Sequence, residues 1–482
     1  MRTENYIGGV WRAGEGAVFT AHDPATGDKV WEGRAANDED VAEAMAAANL
    51  AFPAWSRRPV EERVAIVRAF GKLVEARKEE FAQAISREMG KALWDSRGEV
   101  AAMIGKIEIS IRAQAERAGA REEAAPFGAM TLSHRAHGVL GVFGPFNFPG
   151  HLPNGHIVPA LLAGNCVIFK PSELTPGVGA MMVEAWEDAG LPAGVLNLTQ
   201  GARETGAALL DARGLDGVLF TGSAQTGAMI HRKFAGRPEI LLALELGGNN
   251  PLIVWPPVDA RAAANLIAHS AYATSGQRCS CARRLIVPEG EAGQAVIDAL
   301  AALAAEISVA PATQTPEPFF GPLVSAESAA RAEKFAQALG AIGAKEIVPL
   351  KRDGAFVRPA LFDVTGLNPP DEELFGPVLQ VYRVRDFDHA LDIANATRFG
   401  LAGGLISDDA ALWARVKNEM RAGILNWNRP TTGASGAMPF GGPGLSGSLR
   451  PSAYYAADYA AYPVATQLAE KAAPIPAPGL PV

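Results

Sequence analysis

Cysteine is almost absent from this chain, with three in 482 residues. Three thiols cannot build a disulfide framework, so they are read as packing or chemistry in a reducing compartment. A basic excess is missing too: 44 Lys and Arg stand against 52 Asp and Glu, a formal net charge of −8. Without a basic stripe to displace counterions, nucleic acid is excluded as a partner. Charged residues are only 20% of the chain and apolar residues 48%, too apolar for disorder and enough for a large core. At roughly 150 residues per domain, the length predicts about three domains or two large ones. Residues 1–10 hold no apolar h-region, so the expectation is a cytoplasmic protein without a secretory leader. Charge vanishes from 136 to 169, a stretch long enough to span a bilayer. Pro145, Pro149, Pro153 and Pro159 break that stretch, as do Gly138, Gly141, Gly144, Gly150 and Gly155. It cannot be one lipid-facing helix and is read as buried strand, loop, helix and strand, with no membrane partner.

What the chain does have is a rhythm. Asn37-Asp38-Glu39-Asp40 sets an N-cap ahead of an Ala-rich run to Trp55. Pro59 opens a second helix, with Val64, Val67, Phe70 and Val74 at helical spacing. From 139 onward, short β-branched runs alternate with helical stretches: 139–143 then 152–162, 167–169 then 179–189, 195–198 then 204–210, and 217–220 then 225–234. This alternation predicts an α/β fold built on parallel sheet covered on both faces. A second alternating block runs from Pro251 to about Ser448. Two segments break the rhythm. Residues 116–137 are polar and irregular, and the chain from Tyr454 is aromatic and Ala-rich before a proline-rich end read as extended and mobile.

Four places offer chemistry. Cys279 lies in Gly276-Gln277-Arg278-Cys279-Ser280-Cys281, between a predicted helix at 262–274 and a strand at 284–287. A thiol at such a boundary can meet a ligand, or it can be one more packing cysteine, as Cys166 is read in its apolar strand. Cys281 adds no metal site, since Cys-x-Cys without a nearby His or further Cys lacks the ligands; no metal is expected. Glu245 closes an apolar strand with Leu241, Leu242, Leu244 and Leu246. It is either a buried base with a raised pKa or a salt-bridged edge residue. Gly222-Ser223-Ala224-Gln225-Thr226-Gly227 turns a strand into a helix, where free N–H groups favour a phosphate, although any tight turn into a helix shares that pattern. Asn147, in Gly144-Pro145-Phe146-Asn147-Phe148-Pro149, offers its amide either to an oxyanion or to a nearby backbone carbonyl.

These four sites occur together, and other motifs accompany them: Phe169-Lys170-Pro171-Ser172-Glu173, Phe220-Thr221-Gly222-Ser223, Glu245-Leu246-Gly247-Gly248, Glu373-Leu374-Phe375-Gly376-Pro377, Asn426-Trp427-Asn428 and Pro439-Phe440-Gly441-Gly442. On these motifs the chain, from Asn5 to Pro463, resembles the NAD(P)-dependent aldehyde dehydrogenase superfamily. The resemblance implies an aldehyde dehydrogenase-like α/β fold, with two open parallel-sheet domains and a small β element. Residues 1–115 and 138–246 would bind NAD, 247–448 would be catalytic, 116–137 and 449–470 would pair subunits of a homodimer or homotetramer, and 471–482 would be a tail. It further implies that Cys279 is the nucleophile, Asn147 the oxyanion donor and Glu245 the base that hydrolyses a thioester. Lys170, Ser172 and Glu173 would face the adenosine ribose of NAD, with Glu173 repelling a 2′-phosphate. Gly222, Ser223, Ala224, Gln225, Thr226 and Gly227 would face the pyrophosphate, and Glu373 and Phe375 the nicotinamide end. A narrower likeness, in segments 150–156, 247–251, 278–284 and 450–459, points to enzymes of bacterial arginine degradation that act on a small acidic semialdehyde. Its two remote carboxylates need donors or cations, for which His151, Arg278, Ser280 and Arg429 are the candidates. Another acidic semialdehyde stays open as the substrate. From a different class, so does a thiol hydrolase or acyltransferase using Cys279 and Glu245 without NAD.

Overall fold

The computed structural model describes residues 1–480. Its α/β rhythm resolves into two seven-stranded sheets and one three-stranded sheet, with three two-stranded ribbons beside them. The first sheet runs, edge to edge, Leu241–Leu246, Gly217–Gly222, Val139–Phe143, Cys166–Lys170, Leu196–Leu198, Asn5–Ile7 and Val10–Arg12. The first five strands are parallel and the last two turn antiparallel. From Val139–Phe143 the chain winds first towards Leu196–Leu198, then returns to lay Gly217–Gly222 on the opposite side. That reversal opens a crevice at the carboxyl ends of the strands, the place where open α/β sheets take ligands. The charge-free stretch is the strand Val139–Phe143, the helix His151–Ala163 and the strand Cys166–Lys170, nearly all of it buried because both faces of the sheet are covered. No helix among the described residues is long and apolar enough to cross a membrane.

The second sheet runs Lys345–Val348, Ala360–Asp363, Val378–Val384, Ala282–Pro288, Asn250–Val254, Ala402–Ile406 and Ile424–Trp427, parallel except at its first edge. Side chains alternate between two cores, as strand pleating requires. Leu252, Leu285, Leu379 and Val381 join one core; Ile253, Ile286, Val384 and Leu405 join the other.

Sequence periodicity placed the elements within a few residues. The Asn37 capping box is present at the helix Asp38–Arg57, and Pro59 precedes the helix Val60–Ala76. Two expectations need correction. The segment 116–137 is not irregular: it ends the helix Leu93–Arg117, then forms a hairpin of Arg121–Ala125 and Gly128–Ala136. Ala461–Leu468 joins that hairpin in unbroken antiparallel register. Its strands are half-exposed or exposed, so they lack the apolar run that marks a buried strand. The helix predicted to 274 stops at Tyr272, because Thr274, Ser275 and Gly276 take left-handed φ values of 56°, 57° and 73°. Within the proline-rich tail, 471–480 carries only a bridge between Ala477 and Leu480; residues 481–482 lie outside the described residues.

Candidate active site

The left-handed run after Tyr272 swings the chain back over the sheet and presents Cys279 three residues before the strand Ala282–Pro288. Gly276 is required there: a Cβ would lie 2.2 Å from the Gly376 carbonyl oxygen. Three amides fix the loop. Asn250 Nδ2 donates to the carbonyls of Cys279 (2.7 Å) and Cys281 (2.8 Å), and its Oδ1 accepts from Ala402 N–H. Gln277 Oε1 accepts from Val324 N–H. Asn147 Nδ2 donates to the Gln277 carbonyl at 2.9 Å. Of the three cysteines, Cys279 alone has solvent access. Cys166 is a core thiol that burial pushes up to about 12, and Cys281 points its thiol at the Ala273 carbonyl.

Glu245 sits near the carboxyl end of the edge strand Leu241–Leu246. The segment 446–448 zips along that edge: Ser448 N–H donates to Leu244 O, and Ser446 Oγ–H donates to Gly247 O. The edge is thereby covered, and Glu245 is left 5% exposed. The salt-bridged alternative does not hold, since neither carboxylate oxygen is hydrogen-bonded or ion-paired among the described residues. Burial first, and the Glu373 carboxylate second, push Glu245 up to about 8. Burial, then Glu245 and Glu373, hold the Cys279 thiol well above its usual range. Thiol and carboxyl therefore approach closely enough to shift each other's protons. Burial likewise lifts Glu373 to about 7, opposed by Arg283 and by the Gly248 N–H that donates to it at 3.0 Å. Glu373 fills the space over Gly247, where a Cβ would lie 1.8 Å from Glu373 Oε2.

Around the first sheet's crevice, strand ends carry the nucleotide candidates. The strand Gly217–Gly222 leads into the helix Ala224–Lys233, whose N-cap Ser223 Oγ accepts from Thr226 N–H. The Ala224 and Gln225 amides have no partner among the described residues, an arrangement that suits an anion. Gly227 packs on Leu246 so closely that a Cβ would lie 2.4 Å from it. At the next strand end but one, buried Lys170 donates to the Pro171 carbonyl at 2.9 Å and stands 3.9 Å from half-exposed Glu173. Ser172 Oγ accepts from Leu174 N–H and shapes that turn. Phe375 meets Phe146 edge-on at 5.9 Å. Free amides, a cation and an exposed carboxylate spaced along one crevice suit a dinucleotide.

The model of the aldehyde dehydrogenase family matches residues 11–462. The chain belongs to the aldehyde dehydrogenase family. It is 58% identical over 468 residues to N-succinylglutamate 5-semialdehyde dehydrogenase 2 of Caulobacter vibrioides, covering 96% of this chain and 95% of that protein. Among solved structures it is similar to a 1-pyrroline-5-carboxylate dehydrogenase from Thermus with bound NAD (TM-score 0.90, 31% identity, 96% and 92% of the two chains). It is also similar to an NADP-dependent glyceraldehyde-3-phosphate dehydrogenase from Bacillus halodurans complexed with NADP (TM-score 0.89, 28% identity, 97% and 99%).

In this aldehyde dehydrogenase the four substrate candidates separate. Ser280 is buried beside the nucleophile, and Arg429 is exposed just beyond the strand Ile424–Trp427. His151 opens the helix His151–Ala163, half-buried, with its buried Nδ1 unpartnered among the described residues. Arg278 is the correction. Its guanidinium turns inward, donating to Asp95 (2.8 Å) and Thr274, and lying 5.1 Å over the Phe148 ring. It braces the nucleophile loop from behind instead of facing substrate.

Sequence reasoning missed what holds Asn147. Glu99 on the helix Leu93–Arg117 accepts from the Gly150 and His151 amides and from Lys91 Nζ (2.6 Å), all of it buried. Lys91 also lies 3.4 Å over the Phe148 ring. Burial would raise Asp95, but Lys91 and Arg278 outweigh it and keep that carboxyl below its usual range. Breaking such a pair by removing one charge typically costs about 3–5 kcal/mol, so the Asn147 loop is held stiffly. In the sequence, Asp95 and Glu99 at i, i+4 look like a solvated helix face; nothing local marks them as buried.

Proposed function

We propose that the enzyme oxidises N-succinyl-L-glutamate 5-semialdehyde to N-succinyl-L-glutamate with NAD, in arginine degradation by the succinyltransferase route. The observation that carries this reading is the 58% identity, across almost the whole chain, to a relative of that name. We assign Cys279 as nucleophile. Cys279 gives up its proton to solvent and reacts as the thiolate. The thiolate adds to the aldehyde carbon, and the new alkoxide meets two uncommitted donors. One is the second N–H of Asn147 Nδ2, whose first is held by Gln277; the other is the Cys279 amide, which donates to none of the described residues. Losing one such donor typically costs about 3–4 kcal/mol of transition-state stabilisation. Lys170, Ser172, Glu173, the 222–227 turn, Glu373 and Phe375 would hold NAD, which would supply the acceptor for the hydride lost from the alkoxide carbon. The Cys279 thioester left behind is hydrolysed by a water whose proton Glu245 takes. Covalent catalysis separates oxidation from hydrolysis, so each step needs only one reactant aligned.

The domain division follows the same reading: 1–115 with 138–246 for the nucleotide, 247–448 for the nucleophile, and 116–137 with 449–470 for subunit pairing in a dimer or tetramer. The exposed sheet of Arg121–Ala125, Gly128–Ala136 and Ala461–Leu468, with Met130, Tyr462 and Leu468 on its surface, supports the last assignment. The test of substrate is a kcat/KM panel of semialdehydes with NAD. The succinylated substrate should lead succinate and glutamate semialdehydes by tenfold or more, a gap of about 1.4 kcal/mol; parity would sink the assignment.

Glu173 gives a second test. A carboxylate facing the ribose accepts from a 2′-hydroxyl and repels a 2′-phosphate. Glu173→Ser should lower the NAD/NADP ratio of kcat/KM by about tenfold or more, the scale of one charged hydrogen bond. An unmoved ratio would place Glu173 elsewhere.

A further inference from the structure

Along the helix Leu93–Arg117, Asp95, Glu99, Met103 and Lys106 form one buried stripe towards the Asn147 loop and the helix His151–Ala163. Two of its charges are matched within the protein: Asp95 by Arg278, and Glu99 by Lys91. Lys106 is not matched. It is 3% exposed, yet its ammonium has no hydrogen bond or ion pair among the described residues. The groups facing it are histidines and a glycine. Lys106 Cε is 3.9 Å from the position a Cβ would take on Gly155, so the glycine leaves the lysine room. His156 is committed, with Nδ1 at 2.9 Å from Tyr459 Oη and Nε2 at 3.1 Å from Thr221 Oγ1. His151 is not, since its Nδ1 has no partner. Burial, then Lys106, drives both imidazoles down to about 3, so both are neutral and neither adds compensating charge. This buried group therefore holds three cations, Lys91, Lys106 and Arg278, against two anions, Asp95 and Glu99. A buried ammonium without a counterion is costly, and folded proteins keep such a group where a ligand completes it. Burial alone pulls Lys106 down only to about 8, so it stays largely protonated at neutral pH.

We propose that Lys106, beside His151, forms the subsite that holds one remote carboxylate of the substrate. His151 stands four residues after Asn147 and opens the helix that follows the oxyanion donor's loop. A carboxylate at Lys106 thus belongs to a molecule whose other end can reach Cys279. The inference rests on the substrate class proposed above, an acidic aldehyde, but not on its being the succinylated one.

The test uses the full-length enzyme and its Lys106→Met and Lys106→Arg variants, with NADH formation as the readout. Lys106→Met should raise KM for N-succinylglutamate semialdehyde by about tenfold to a hundredfold, the scale of a charged hydrogen bond. Its kcat should change less than threefold, and KM for a neutral aldehyde of equal length should not move. Lys106→Arg should restore part of the loss. The competitive inhibition constant of N-succinylglutamate should weaken in parallel. Because methionine removes an unmatched charge from the interior, the Lys106→Met apoenzyme should melt no lower than the parent; a clear drop would mean that the lysine serves the fold, and would overturn the proposal. Equal losses for charged and neutral aldehydes would overturn it too. If the parent enzyme favours a different acidic aldehyde and Lys106→Met loses that preference, the subsite stands and the succinylated substrate falls. If the parent favours the succinylated aldehyde and the variant loses nothing, the subsite falls and the substrate stands.

Discussion

Cys279→Ala should reduce NAD-dependent aldehyde oxidation by at least about 10⁴-fold, while Cys166→Ala and Cys281→Ala keep most of it. Removing a nucleophile from a cooperative catalytic unit commonly costs on the order of 10⁶ in kcat, and alanine leaves no atom to form the tetrahedral adduct. Cys166 lies inside a five-residue buried strand and Cys281 points its thiol at a backbone carbonyl, so neither meets a substrate. Their loss should appear as stability, about 1 kcal/mol for a small cavity, and not as rate. The loop around Cys279 makes the prediction specific. Asn250, Gln277 and the three left-handed residues hold its backbone whether or not the thiol is there. Nucleotide affinity, measured by fluorescence titration, should therefore be unchanged in Cys279→Ala. Comparable loss of rate in Cys281→Ala would move the nucleophile assignment.

Much of the fold was legible because its signals are local. β-Branched runs and caps placed most helices and strands of the first sheet to within a few residues, since both sheet faces are buried and each strand reads as an apolar run. The outer sheet was not legible, because half-exposed strands carry no such run. Nor was the left-handed turn at Thr274 and Ser275: neither residue favours that conformation, and Ser275 is held there by tertiary partners, its hydroxyl donating to Gly321 O and Pro322 O. The candidate site shows the same split. Cys279, Glu245 and Asn147 stand out as chemically costly residues in apolar surroundings. Arg278 stood out for the wrong reason, because its partner Asp95 is 183 residues away. Lys106 did not stand out at all: one lysine on a charged helix looks solvated until the fold removes every acceptor around it.

Glu245→Gln should separate the two halves of the reaction. The substitution keeps shape and volume, but it removes a carboxyl that burial and Glu373 have pushed up to about 8. It also removes one of the two carboxylates that, after burial, hold the Cys279 thiol up, so thioester formation should not slow at neutral pH. Hydrolysis should slow, because no other unpaired carboxylate is placed to take the proton from water; general-base loss is worth about 10²–10⁴. Rapid mixing should then show a burst of NADH near one equivalent per site, followed by a slow steady state, the mark of accumulated acyl-enzyme. The pH dependence carries the sign. A base acts only when deprotonated, so the parent's hydrolysis-limited kcat should climb from pH 6.5 through a midpoint near 8, whereas the variant's slow phase should be flat across that range. A variant with no burst would mean that Glu245 is needed before the thioester forms. A parent profile that falls with rising pH would mean that the group at 245 acts as an acid.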